Sequence, residues 1–200
     1  MIVLQLDQED AAIRLLQEGA IGVMPTDTIY GIVASASSPE AVAALYKAKH
    51  RQGKPGTVIA ASVPQLEALG INADYLQKVS HLWPNALSIV LPDSPVLSYL
   101  DQGKHSLAVR IPASPHIRAL LEKTGPLLTS SANMPGNAPA QNIQQAVGYF
   151  GSKVDFYLDG GVLESSWPST VVKLHTSGHI ELLREGAVPS SLFIKTDKTS

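Results

Sequence analysis

Two rhythms of apolar and polar positions alternate along this chain: stretches of helical spacing, and short unbroken apolar runs that read as buried strands. Ala11, Ala12, Leu15 and Leu16 share one helical face, and Gly19 supplies a stop. Strands follow over 20–24 and from Ile29 to Ala34. Ser38-Pro39 reads as an N-cap and first helical residue, opening a helix that buries Val42, Leu45 and Tyr46 and runs to Lys49. Thr57 to Ser62 reads as a strand, and 64–82 as helical with a break near Gly70. Short strands are expected at Ala86 to Leu91, Leu107 to Ile111 and Pro126 to Thr129. Between the last two, Ser114-Pro115 starts a helix with Ile117, Leu120 and Leu121 inward. A helix near 142–150 precedes strands near 154–158, 170–174 and 179–184. The pattern predicts one α/β domain over 1–188 built on a mixed sheet, with a polar tail over 189–200.

Composition narrows the class without giving a function. Two hundred residues suffice for one sizeable core. Charged residues make up 16% and the formal net charge is −2, with a pI near 6.3. No overall basic field therefore advertises nucleic acid, and any RNA contact needs a local patch. The absence of cysteine excludes disulfides, thiolate zinc sites and cysteine nucleophiles. The opening Met1-Ile2-Val3-Leu4-Gln5-Leu6-Asp7 has no basic n-region, and no run reaches the ~18 apolar residues of a spanning helix. A cytoplasmic protein without membrane contact is the expectation.

Candidate chemistry gathers where strands end. The apolar run to Met24 leads into Pro25-Thr26-Asp27-Thr28-Ile29-Tyr30-Gly31, which offers two hydroxyls and a carboxylate at a strand terminus. That is the usual ligand position in open α/β sheets, although Asp27 and Thr28 can also serve an ordinary turn. Lys47 to Gly56 holds Lys47, Lys49, Arg51 and Lys54 with two glycines and a proline, a composition suited to an oligophosphate. It lacks the GxxxxGK[ST] order of a P-loop. Arg110, inside Ser106-Leu107-Ala108-Val109-Arg110-Ile111-Pro112, needs a carboxylate, either an internal Asp or Glu or that of a substrate. Thr129 to Asn137 is dense in hydroxyls and amides after another apolar strand. Ser130 or Ser131 as a hydrolase nucleophile is the weaker reading, because no GxSxG elbow surrounds them. Asp159-Gly160-Gly161, Pro168-Ser169-Thr170 and Arg184-Glu185-Gly186 are weak signals singly.

In this order the stretches resemble the YrdC-like threonylcarbamoyl-AMP synthase family. The matching segments are PTDTIYGI at 25–32, KAKHR at 47–51, WPNALSIVL at 83–91 and LAVRIP at 107–112. They continue with PLLTSSANMPG at 126–136, LDGG at 158–161, PSTVV at 168–172 and LLREGAV at 182–188. The resemblance implies an α/β fold: an open, twisted mixed sheet with flanking helices around a large concave cleft. It also implies a reaction joining L-threonine, bicarbonate and ATP into threonylcarbamoyl-AMP and pyrophosphate. The product would pass to a separate tRNA threonylcarbamoyl-transferase complex. Thr26, Arg110, Thr129 and Ser169 match the family's threonine site, with Arg110 on the carboxylate. Ser106, Ser131, Asn133, Asn137 and Arg184 match ATP contacts, together with Lys49 and Arg51 as the catalytic cations. Mg²⁺ would arrive with ATP, and neither a tightly bound cofactor nor a protein-held metal is expected.

The chain departs from the family pattern in one loop. Gln52 replaces the usual Pro, Lys54-Pro55-Gly56 stands where Asp-Asn-Pro or Asp-Lys-Gly is common, and Thr57-Val58 replaces Leu-Ile. Lys54 is a candidate substitute cation there. The match resembles the short, single-domain bacterial form. Two further readings stand beside the synthase: a double-stranded-RNA or tRNA-binding paralogue without this activity, and a paralogue handling a different carbamoyl adenylate. A cleft lined by Lys47, Lys49, Arg51, Lys54, Arg110 and Arg184 would supply the positive surface that RNA needs.

Overall fold

The computed structural model describes residues 1–92, 97–163 and 167–193. Among the described residues ten strands form one mixed sheet in the order β1-β8-β2-β3-β7-β4-β6-β5-β9-β10. They are β1 (Ile2–Gln5), β2 (Gly22–Pro25), β3 (Tyr30–Ser35), β4 (Thr57–Ile59), β5 (Leu87–Pro92), β6 (Ser106–Arg110), β7 (Leu127–Ser131), β8 (Phe156–Asp159), β9 (Thr170–Leu174) and β10 (Ile180–Arg184). The helices are α1 (Glu9–Gln17), α2 (Pro39–Ala48), α3 (Val63–Leu69), α4 (Ala73–Val79), α5 (Ser98–Asp101), α6 (Pro115–Thr124) and α7 (Ile143–Phe150).

Helix starts follow capping chemistry. Ser38 Oγ accepts the Ala41 N–H at 3.1 Å, and Ser114 Oγ accepts that of Ile117 at 3.3 Å, each followed by proline. Asn142 Oδ1 does the same for Gln145 at 2.9 Å, where α7 begins. The expected helix over 64–82 divides into α3, α4 and a 3-10 turn, Ser80–Leu82.

The central strands are covered on both faces, which is why they read as unbroken apolar runs. Ile32, Val58 and Leu128 belong to the larger core cluster, which also holds Leu45 of α2. Their neighbours Val33, Ile59 and Leu127 join the second cluster with Leu16 of α1 and Leu121 of α6. Alternation along each strand thus feeds two cores.

Three features differ from expectation. Strand β1 lies at the sheet edge, and only Leu4 of its four residues is buried, so its pattern carries no strong period. The strand expected to reach Ser62 stops at Ile59, because Gln65 Oε1 takes the Ala61 N–H at 2.9 Å in place of a ladder partner. The single turn α5 gave no sequence signal. Of the expected tail, residues 194–200 lie outside the described residues. Ser190–Leu192 make a 3-10 turn, and Phe193 packs against the larger core. Among the described residues no helix is long and apolar enough to cross a membrane.

Tyr30 ties the middle of the sheet to the loop after β8. Its hydroxyl donates to Gly161 O at 2.8 Å and accepts the Gly160 N–H at 2.9 Å, which gives Asp159-Gly160-Gly161 a structural role. Tyr30→Phe is expected to cost about 1–3 kcal/mol, because it removes two hydrogen bonds at about 0.5–1.5 kcal/mol each. Thermal unfolding reads this as a fall of roughly 2–4 °C per kcal/mol, and an unchanged midpoint would contradict it.

Candidate functional site

One sheet face changes character along its length. Helices α1 and α6 cover the part that carries Val33, Ile59 and Leu127. Two residues along the same strands, and so on the same face, stand Gly31, Thr57 and Thr129. These three line an open cavity of about 200 Å³, with Ser131 beyond Thr129. Gly31 is required by close approach: a Cβ there would meet Thr129 Oγ1 at 2.5 Å. Thr26 also lines the cavity, and its hydroxyl donates to Ile29 O at 2.7 Å, so it closes the turn and forms wall together.

Three arginines enter this cavity from three elements: Arg51 from the loop after α2, Arg110 from the end of β6 and Arg184 from the end of β10. Arg51 donates through Nη1 to Ser130 Oγ at 2.8 Å and through Nη2 to Pro55 O at 2.9 Å, with its Nε on Lys54 O. Lys54 is exposed and off the cavity wall, so its backbone carbonyl, and not its charge, serves the site. The β10 register shifts between Leu182 and Arg184, and this bulge changes the aim of the side chain that follows it. Arg184 Nη2 then donates to Ser169 O at 2.6 Å. Glycine at 186 permits this, because a Cβ there would lie 2.3 Å from Pro168 O.

Arg110 is buried and paired internally: its Nη2 meets Asp27 Oδ1 at 2.9 Å. Its Nη1 lies 3.4 Å from Ser88 Oγ, which is 2.9 Å from Ser169 Oγ. The two carboxylate sources left open by the sequence therefore differ in standing: the internal one is present. Burial lowers the pKa of all three arginines, Asp27 opposes this at Arg110, and Arg184 lowers both of the others. A cavity with three mutually repelling cations on its wall, and no carboxylate there among the described residues, is built for an anion.

The remaining expected residues fall into two groups. Thr129 and Ser169 line the cavity, as does Ser131. Lys49, Asn133 and Asn137 stand behind the wall. Lys49 is only 3% exposed, and its Nζ donates to Ser131 O, to Asn133 O at 3.0 Å and to Asn133 Oδ1 at 2.9 Å. Asn133 Nδ2 donates to Asn137 O at 2.6 Å, so the three residues brace the turn that carries Ser131. Ser106 is not brought to the site: it starts β6, four residues before Arg110, with its hydroxyl 3.4 Å from Lys104 O. A hydrolase reading gains no support, since Ser130 Oγ accepts from Arg51 and Ser131 Oγ donates to Asn133 Oδ1 at 2.7 Å, with Lys49 Nζ farther off at 3.5 Å. Sequence reasoning passed over Ser88. A polar residue inside the apolar run Ala86 to Leu91 was its available signal, the same logic that exposed Arg110.

Burial, with Arg51 nearby, lowers the Lys49 pKa to about 7. The unfolded chain then holds more protons than the folded one between pH 7 and about 10.4. Stability rises with pH across that window: the penalty of the buried ammonium is full at its lower end and gone above it. The unfolding free energy of the wild type relative to Lys49→Met should therefore climb as pH rises from 7 towards about 10 in denaturant titrations. A difference that stays flat with pH would count against the buried titration.

The family model described as telomere recombination, for the Sua5, YciO and YrdC proteins, matches residues 14–186. A putative threonylcarbamoyl-AMP synthase of Mycobacterium tuberculosis is 36% identical over 182 residues, covering 89% of this chain and 83% of that protein. A threonylcarbamoyl-AMP synthase of Saccharophagus degradans is 31% identical over 173 residues, covering 84% and 91%. The crystal structure of P. abyssi Sua5 complexed with L-threonine matches with a TM-score of 0.84 at 28% identity, over 96% of this chain. This chain spans 59% of that Sua5 chain.

Proposed function

The chain belongs to the Sua5/YciO/YrdC family, and from that membership we propose that it is a threonylcarbamoyl-AMP synthase. It joins L-threonine, bicarbonate and ATP into threonylcarbamoyl-AMP and pyrophosphate, a nucleotidyl transfer. The observation that carries this reading is the convergence of Arg51, Arg110 and Arg184 on one cavity floored by hydroxyls. Its size suits a small amino acid, while the open side leaves room for a nucleotide.

The chain's residues divide between the two substrates. Arg110 takes the threonine carboxylate, with the hydroxyls of Thr26, Thr129 and Ser169 around the rest of the molecule. Arg51 and Arg184 take the phosphates, with Ser131 beside them and Lys49 bracing the Ser131 turn. Threonine reacts as the neutral amine: its nitrogen captures carbon dioxide derived from bicarbonate and loses a proton, giving an N-carboxylate. An oxygen of that group attacks the α-phosphorus, the bond to the β-phosphate oxygen breaks, and pyrophosphate leaves. No protein nucleophile is needed. Placement supplies much of the rate, on the order of 7–11 kcal/mol for well-oriented reactants, and the arginines stabilise charge on the phosphates. Mg²⁺ would arrive bound to ATP and would neutralise part of the charge on its phosphates. The product passes to a separate tRNA-modifying transferase, which places the work in the cytoplasm.

The direct test is pyrophosphate release from ATP with threonine and bicarbonate each withheld in turn. Release should require both, and release indifferent to threonine would point to a paralogue with another acceptor. Arg51→Ala should lower kcat by roughly 10²–10³-fold, the usual loss of a transition-state charge partner.

A further inference from the structure

Asp27 belongs to the first polar motif, yet it has no place on the cavity wall. Its side chain is 1% exposed, and its two oxygens are committed separately. Oδ1 accepts from Arg110 Nη2 at 2.9 Å, and Oδ2 accepts the Ala113 N–H at 3.2 Å. Arg110 itself faces the cavity, so Asp27 grips it from the side away from the ligand space. Ser88, fully buried, takes a second hold at Nη1. The remaining nitrogen, Nε, is buried and has no hydrogen-bond partner.

That pattern is informative because a guanidinium is a rigid fork. A carboxylate placed only to neutralise it would take Nε and Nη2 together, side by side. Here the second oxygen of Asp27 is spent on Ala113, the grip is single, and one donor is left over. Buried donors without an acceptor are rare in folded proteins. A buried ion pair is also a poor way to gain stability compared with apolar packing, which argues for a use beyond holding the fold.

We infer that Asp27 is a positioning residue: with Ser88 it fixes the plane of Arg110 and reserves the Nε–H for the carboxylate of the amino-acid substrate. This rests on the synthase reading, since it assigns which substrate meets that edge. Asp27 touches no substrate and acts through Arg110.

Two measurements test it. In the first, Asp27→Asn should raise the KM for threonine roughly ten- to a hundred-fold while the KM for ATP stays within about twofold, the scale of a lost charged hydrogen bond. In an Arg110→Gln background the same substitution should add less than about twofold to the threonine KM, as coupled residues do. A rise in both KM values alike, or an effect undiminished in Arg110→Gln, would reduce Asp27 to a structural part and overturn the inference. The second is read on the wild-type chain. The Arg110 Nε–H resonance, assigned by its loss in Arg110→Gln, should shift on titration with L-threonine. Threonine moving other resonances while leaving this one in place would overturn the inference alone. Threonine moving none, with pyrophosphate release indifferent to it, would remove the synthase reading and this inference with it.

Discussion

The period-two alternation of β3, β7 and β4 is the constraint on which the rest of this molecule depends. Each of these short strands must bury side chains on both faces, and each does so for part of its length. Where Val33, Ile59 and Leu127 point, α1 and α6 close over the sheet. Two residues further along, the same face carries Gly31, Thr57 and Thr129, which offer too little apolar area to hold a helix. The cavity is thus the uncovered end of a core. Its shape follows from three strands exchanging large apolar side chains for small or polar ones, β4 and β7 at one level and β3 one step further along.

Electrostatics then determine what that cavity can accept. Arg51, Arg110 and Arg184 come from separate elements, and each is held by carbonyls, hydroxyls or one buried carboxylate. Burial weakens the hold of every one of them on its proton, and they repel one another. Asp27 offsets one charge out of three, and the balance is left for a ligand. A carboxylate together with a triphosphate meets that need better than a neutral molecule would. The chain's slightly acidic overall balance has no bearing on this, because the field that matters is local.

Much of this was legible in the sequence because the signals were chemical and local. Ser38-Pro39 and Ser114-Pro115 mark helix starts through capping, and an arginine within Leu107 to Ile111 announces a buried partner. The identity of that partner was not legible, since Asp27 lies 83 positions away and only the β2–β3 turn brings it close. Ser88 escaped notice because one hydroxyl in an apolar run looks unremarkable until the register sets β5 beside β6. The resemblance places Lys49 at the nucleotide, and in the structure its side chain holds the backbone of Ser131 and Asn133. Strand β1 was missed for a physical reason: at a sheet edge with one buried residue, no pattern is imposed on its sequence.

The contact between Arg184 and the carbonyl of Ser169 bears on how this site tolerates change. Any amino acid at position 169 brings the same carbonyl, so drift at that position leaves the anchor intact. The vulnerability is displaced to position 186, where any side chain would strike Pro168 O and push the two segments apart. A residue with no side chain thereby becomes less replaceable than the cavity-lining serine beside it.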